Sequence, residues 1–210
     1  MATPSDMTGF RCLAAAALLL AQQSAEGIAG FEEGMVAYDR GEYAKAAKEW
    51  DDLAKRGDPV SQHHLAWLYL LGRGVPQDDQ EALYWFRQAA EAGDTDAQTN
   101  VASLYLLGDR IPRDELEALR WFQAAAAHGN PTAQTKLGIM YEDGHGVAQD
   151  RVRAYLWFTL AASNGSALAE AFQEALSKRL TPSEIAEAGR LAEENNSKGL
   201  ASTAATSVTR

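Results

Sequence analysis

Between residues 58 and 165 the apolar positions recur at helical spacing. Leu65, Ala66, Leu68 and Tyr69 predict one helix, and Ala82, Trp85, Phe86, Ala89 and Ala90 predict a second. The stretch YLLGRGVPQD, residues 69–78, interrupts the pattern. Gly72 can take the positive φ that ends a helix. Asp78 is an N-cap type, whose side-chain oxygen accepts from the free amides of a new first turn. No segment alternates apolar and polar residues like a strand, so the pattern predicts helices throughout.

The same pattern returns twice. YLLGRGVPQD at 69–78 reappears as YLLGDRIPRD at 105–114 and as YEDGHGVAQD at 141–150, at steps of 36 residues. Three complete units run 58–93, 94–129 and 130–165. Ten of the 36 columns are identical in all three: Gln62/98/134, Tyr69/105/141, Gly72/108/144, Asp78/114/150, Ala82/118/154, Trp85/121/157, Phe86/122/158, Ala89/125/161, Ala90/126/162 and Gly93/129/165. Average composition gives roughly 0.1 to 0.2 such columns by chance. Each unit opens on Asp58, Asp94 or Asn130, and Ser166 opens the next segment; all four are N-cap types. Pro59 and Pro131 follow at the first helical position, where a missing N–H costs nothing. Asp78 with Glu81, and Asp114 with Glu117, predict capping boxes, whereas Asp150 has Arg153 in that place.

One helix pair of this kind cannot bury its apolar surface alone, so neighbouring pairs must stack into a solenoid. The unit pattern A-Q-x3-[AG]-x2-Y-x2-G-x-G-V-x2-D-x3-A-x2-W-F-x2-A-A-x2-G resembles the Sel-one-like repeat (SLR) family, a relative of the tetratricopeptide repeat. The resemblance covers 58–165 and implies an all-α, right-handed α-solenoid of antiparallel helix pairs. In residues 26–57, Gly34, Gly41, Tyr43, Ala46, Trp50 and Leu53 resemble a tetratricopeptide unit with a shorter inter-helix turn. Residues 166–194 are expected to form C-terminal capping helices, the second opened by the Thr181–Glu184 capping box. Residues 195–210 are Ser/Thr/Ala-rich and are expected to be a disordered tail.

Composition narrows the function classes. The formal net charge is −10, a surface that repels phosphate backbones and anionic headgroups, and no basic stripe interrupts it. Nucleic acid is therefore not an expected partner. Cys12 is the single cysteine, which rules out an intramolecular disulfide and a cysteine-rich metal site. Residues 1–25 read as a signal peptide or N-terminal helix: Arg11 precedes the apolar run Cys12 to Ala21, too short to span a bilayer. The expected location is periplasmic or secreted, with the cytoplasm as the alternative.

Catalytic patterns are scarce. The G-x-G of the inter-helix loop follows a helix rather than a strand and lacks the lysine of a phosphate-binding loop. Its middle copy has Arg110 where Gly74 and Gly146 stand, which favours a turn over a ligand loop. Asp78, Asp114 and Asp150 are explained by capping, since stacked units would hold them about 10 Å apart. His63 and His64 are adjacent and diverge by about 100°, unlike the i, i+4 histidines of a zinc helix. No serine stands in a G-x-S-x-G or S-x-x-K arrangement. No catalytic residue, metal ligand or cofactor is assigned.

The resemblance implies that the first helix of each pair lines a concave face. Aligning Ala66, Ala102 and Gly138 with the small residue of that helix gives the groove positions: Phe31, Met35 and Tyr38; His63, Trp67, Leu70 and Leu71; Thr99, Ser103 and Leu106; Thr135, Ile139 and Glu142. WLYLL at 67–71 is apolar all round, and one helical face suffices to reach the paired helix. Neighbouring repeats or a partner's side chain cover the rest. The expected function is a non-catalytic scaffold or adaptor that binds a protein or peptide, in envelope assembly or signalling. An envelope enzyme acting on cell-wall glycan or a β-lactam, or a purely structural subunit of an envelope complex, are the alternatives.

Overall fold

In the computed structural model of the chain, residues 27–207 are described, with side chains through Asn195. The signal-peptide reading of residues 1–25 lies outside the described residues, as do residues 208–210. Among the described residues every regular element is a helix. They are α1 (residues 27–39), α2 (Tyr43–Lys55), α3 (Pro59–Leu71), α4 (Asp79–Glu91), α5 (Thr95–Leu107), α6 (Glu115–Ala127), α7 (Pro131–Asp143), α8 (Arg151–Ser163), α9 (Ala167–Ser177) and α10 (Pro182–Ser207). The chain forms two compact units, Met1–Trp85 and Phe86–Arg210, and the division falls inside α4.

The helix starts are built as the cap residues predict. Asp58 accepts from the Ser61 amide, Asp94 from those of Asp96 and Ala97, Asn130 from Ala133, and Ser166 from Ala169. Asp78 accepts from the amides of Gln80 and Glu81, Asp114 from Leu116 and Glu117, and Asp150 from Arg153. Gly72, Gly108 and Gly144 close α3, α5 and α7 at φ of 65°, 70° and 81°.

The predicted capping boxes at Asp78 and Asp114 are not closed by their glutamates. The backbone N–H of Asp78 donates to the Tyr69 carbonyl at 3.1 Å, that of Asp114 to Tyr105 at 3.0 Å, and that of Asp150 to Tyr141 at 2.8 Å. The amide a glutamate would have satisfied already has a partner across the loop. Glu117 instead accepts from the Trp121 indole at 3.0 Å. Of the predicted boxes among the described residues, Thr181 and Glu184 do form the reciprocal pair, at 2.7 Å and 3.3 Å.

In the pairs α1–α2, α5–α6 and α7–α8 a small residue on the first helix, Gly34, Ala102 or Gly138, lies against a large ring on the second. The rings of that column are Trp50, Phe86, Phe122 and Phe158, all buried. Trp50 stands 36 residues before Phe86, and its small partner Gly34 is 16 residues before it rather than the 20 between Gly138 and Phe158, because the turn between α1 and α2 is shorter than the later loops. A Cβ at Gly34 would stand 2.3 Å from the Trp50 indole nitrogen, and one at Gly138 would stand 2.3 Å from the Phe158 ring. Fully burying such a ring contributes roughly 1.5–3 kcal/mol, and that contact requires the two helices to approach closely. Gln62, Gln98 and Gln134 pin each pair to the helix before it, donating to the carbonyls of Ala54, Ala90 and Ala126 at 3.0, 3.0 and 3.1 Å.

In the second unit, Ala102, Phe122, Leu137 and Met140 share one core, and Tyr141, Phe158 and Leu176 share the next. The unit is finished by α10, whose Ala188 and Ala192 pack on Leu156 and Leu160 of α8. That helix continues to Ser207, beyond Glu194 where its end is predicted. Residues 195–207, expected to lack structure, continue it without a proline, and their alanines favour helix.

Candidate functional site

In the first unit, rings from α1, α2 and α3 meet. Phe31 lies 5.4 Å from His64 and 6.3 Å from Trp50, centroid to centroid, and Tyr38 lies 5.8 Å from Trp50. His64 stands 4.8 Å from Trp50 and 6.0 Å from His63. Arg73, from the loop after α3, donates to the Tyr38 hydroxyl at 2.9 Å and lies over the Tyr43 ring at 5.3 Å. These contacts fix α1 beside α3, so Phe31, Met35 and Tyr38 are half-buried rather than open.

On α3 the outward line is apolar. Val60, Trp67 and Leu71 follow one another at seven and four residues and are 46%, 38% and 46% exposed. Helical spacing puts them on one face about 16 Å long. His63 flanks that line and is half-buried, its Nε2 accepting from the Trp67 indole N–H at 3.1 Å. An acceptor Nε2 places the proton of neutral His63 on Nδ1. Leu70 points inward and is 9% exposed, so it offers a partner little surface. Helix α3 holds no Asp, Glu, Lys or Arg, and α1 holds Glu32, Glu33 and Asp39 without a basic residue.

The second-unit positions differ. Thr99 and Thr135 are buried and donate to carbonyls within their own helices, of Thr95 and Pro131. Ser103 does the same with Thr99 at 2.8 Å. Leu106 and Ile139 are half-buried against the two cores. Glu142 accepts from Arg179 at 2.6 Å, so its charge is matched within the chain. The predicted groove residues thus separate into an exposed apolar line on α3 and a second-unit set already engaged. Val60 and His64 were absent from the sequence-based set. The signal for Val60 was its place seven residues before Trp67.

The loop glycines have a packing role. A Cβ at Gly74 would stand 2.3 Å from the Tyr43 carbonyl carbon, and one at Gly146 would stand 2.6 Å from the Glu115 carbonyl oxygen. Each loop therefore lies against the first turn of the second helix of the preceding pair. Gly146 N–H donates to the Glu115 carboxylate at 2.7 Å, and His145 Nδ1 stands 3.3 Å from its other oxygen. Arg113 pairs with the same carboxylate. Desolvation pushes the Glu115 carboxyl up, but Arg113, the Gly146 amide and His145 together outweigh it and hold it below its ordinary value. The loop with Arg110 needs no positive φ there and buries Ile111 instead.

At the far end of the second unit, Tyr141, Arg153, Leu156, Trp157 and Leu191 line a recess of about 300 Å3. Its cation is committed, since Arg153 Nε lies 3.4 Å from Asp150 and its guanidinium covers the Tyr141 ring at 5.7 Å. No group of three or more His, Cys, Asp or Glu among the described residues could hold a metal ion. No helix among them is long and apolar enough to cross a membrane.

The chain matches the family model described as Sel1 repeat at residues 59–94, 95–130 and 131–166, each one residue later than the frame read from the sequence. The comparison with curated protein sequences returned no match. A Sel1 repeat protein from Oxalobacter formigenes is similar, at 38% identity and a TM-score of 0.57, over 61% of this chain and 96% of that one. A protective antigen of uropathogenic Escherichia coli with an SLR fold is 28% identical, with a TM-score of 0.48, over 84% of this chain and 47% of that one. Repeats of this kind generally act as protein-interaction scaffolds. With three consecutive repeats over 108 of its 210 residues, this all-α solenoid belongs to the Sel1 repeat family.

Proposed function

We propose that this protein is a non-catalytic adaptor that holds a peptide or protein partner on the α1–α3 face of its first unit. The observation that carries the proposal is the exposed line of Val60, Trp67 and Leu71 on a helix without a charged residue. Scattered exposed apolar residues are ordinary, but an aligned set with an indole at its centre has the composition of a binding hot spot. In the second unit the corresponding positions Ser103 and Thr135 are tied to their own helices, so the proposal rests on the first unit alone. Arg11 ahead of the apolar run Cys12 to Ala21 supports export, so the proposed setting is the envelope, in complex assembly or signalling.

Site-specific photo-crosslinking tests the assignment. A photoreactive residue at position 71 should capture a discrete partner in native cells, while one at position 168, more open still on α9, should not. Capture from 168 and none from 71 would move the binding face elsewhere.

A further inference from the structure

Resting on the reading of the α1–α3 face as a docking surface, we infer that its partner is a cationic amphipathic peptide segment. Such a segment would set apolar side chains along Val60, Trp67 and Leu71 and carry lysine or arginine beside them.

The argument is one of charge placed around an apolar line. Within residues 27–85 there are eleven carboxylates and six Lys or Arg. They are not spread evenly. The three lysines of the helices, Lys45, Lys48 and Lys55, all lie on α2, where Glu49, Asp51 and Asp52 balance them. Lys55 is held by Asp51 at 2.5 Å. Helices α1 and α3 together carry Glu32, Glu33 and Asp39 and no cation. Glu32 and Asp39 stand three residues before and four after Met35, which puts them on the Met35 side of α1. Both are exposed, and no ion pair among the described residues neutralises them. Cations also stand in the turns: Arg40 follows α1, and Arg73 is occupied by Tyr38 and Tyr43.

This arrangement selects among occupants. A second copy of the chain would bring Glu32 and Asp39 against another acidic face, and like charges at short range disfavour that pairing. The chain's own apolar run, Cys12 to Ala21, brings one flanking cation, Arg11, which Asp6 offsets within the same segment, so it carries no net charge to answer the carboxylates. Anionic lipid is repelled by them. A segment with apolar residues on one side and cations at its flanks satisfies both the line and its border. The extent of the line, about 16 Å, suits two to three turns of helix.

The test uses the full-length protein and three synthetic 14-residue peptides. All carry leucines on one helical face, with lysine, serine or glutamate at the other positions. Titration by fluorescence anisotropy should show the lysine peptide binding at least tenfold more tightly than the serine peptide, and the glutamate peptide not at all. Trp67→Ala and the double variant Glu32→Lys/Asp39→Lys should each weaken the lysine peptide about tenfold, with circular dichroism unchanged. Leu116→Ala, at an exposed site on α6, should leave it unaltered. Trp67-dependent binding of the serine or glutamate peptide with equal strength would overturn the cationic class and leave the docking face standing. No Trp67-dependent binding of any peptide would overturn both. A dimer in sedimentation that Trp67→Ala abolishes would assign the face to a second copy. Binding that emerges only when residues 1–26 are removed would assign it to the chain's own leader. Either result overturns the inference.

Discussion

The indole N–H of Trp67 donates to Nε2 of His63, 3.1 Å away and one turn earlier on α3. The bond holds an exposed ring at one angle on an apolar face, so less rotamer entropy remains to be lost when a partner arrives. His63→Ala should therefore weaken the binding of any Trp67-dependent ligand about fivefold, corresponding to about 1 kcal/mol. Thermal unfolding should shift little, because the pair is at the surface. Titration of the same ligand against both proteins measures the effect.

Gly34 and Trp50 pack closely in the first unit. Gly34→Ala would place a methyl 2.3 Å from the indole nitrogen, and neither the buried ring nor the helix has room to move. A loss of about 1–3 kcal/mol is expected from overpacking. Urea unfolding should show it, and Trp50→Phe in the same chain should recover part, since Ala102 packs with Phe122 in one core of the second unit.

Gln98 is buried with its side-chain carbonyl unsatisfied, while the carbonyl of Gln134 accepts from Asn164 at 2.9 Å. The residue one repeat before Asn164 is His128. His128→Asn should supply the missing donor and stabilise the protein by about 1 kcal/mol. A rise in the urea midpoint with an unchanged slope checks this.

The Glu115 cluster gives a pH dependence of known sign. Its carboxyl is held below the ordinary value by Arg113, the Gly146 amide and His145, against the opposing effect of desolvation. A group whose folded value is depressed adds stability above its unfolded value, about 4.3, and loses it as pH falls through the folded value. Wild type should thus lose more stability than Glu115→Gln between about pH 5 and pH 3. Parallel unfolding curves for the two proteins across that range would contradict the coupling.

Much of this architecture was legible in the sequence because its signals are local. A cap residue, a closing glycine and an apolar period act within a turn or two, so the helix frame and its 36-residue repeat follow from neighbours. The errors arose where a distant group intervened. Glu81 and Glu117 read as halves of capping boxes, but the amides they would meet belong to the Tyr69 and Tyr105 carbonyls, nine residues back. Arg73 gives no local signal of its role, which is a bond to Tyr38, 35 residues away. Glu142 reads as an acidic groove residue, yet Arg179 covers it from 37 residues on. Trp67 was legible for a physical reason: an apolar helix has more faces than its paired helix can cover.

The central claim, that the α3 face binds a partner, is tested most directly by comparing Trp67→Glu with wild type in affinity capture of the crosslinked partner. A charge at a surface position 38% exposed should leave circular dichroism unchanged and shift stability by less than about 1 kcal/mol. The account predicts that capture then falls at least tenfold. Capture at the wild-type level by a folded Trp67→Glu protein would contradict it.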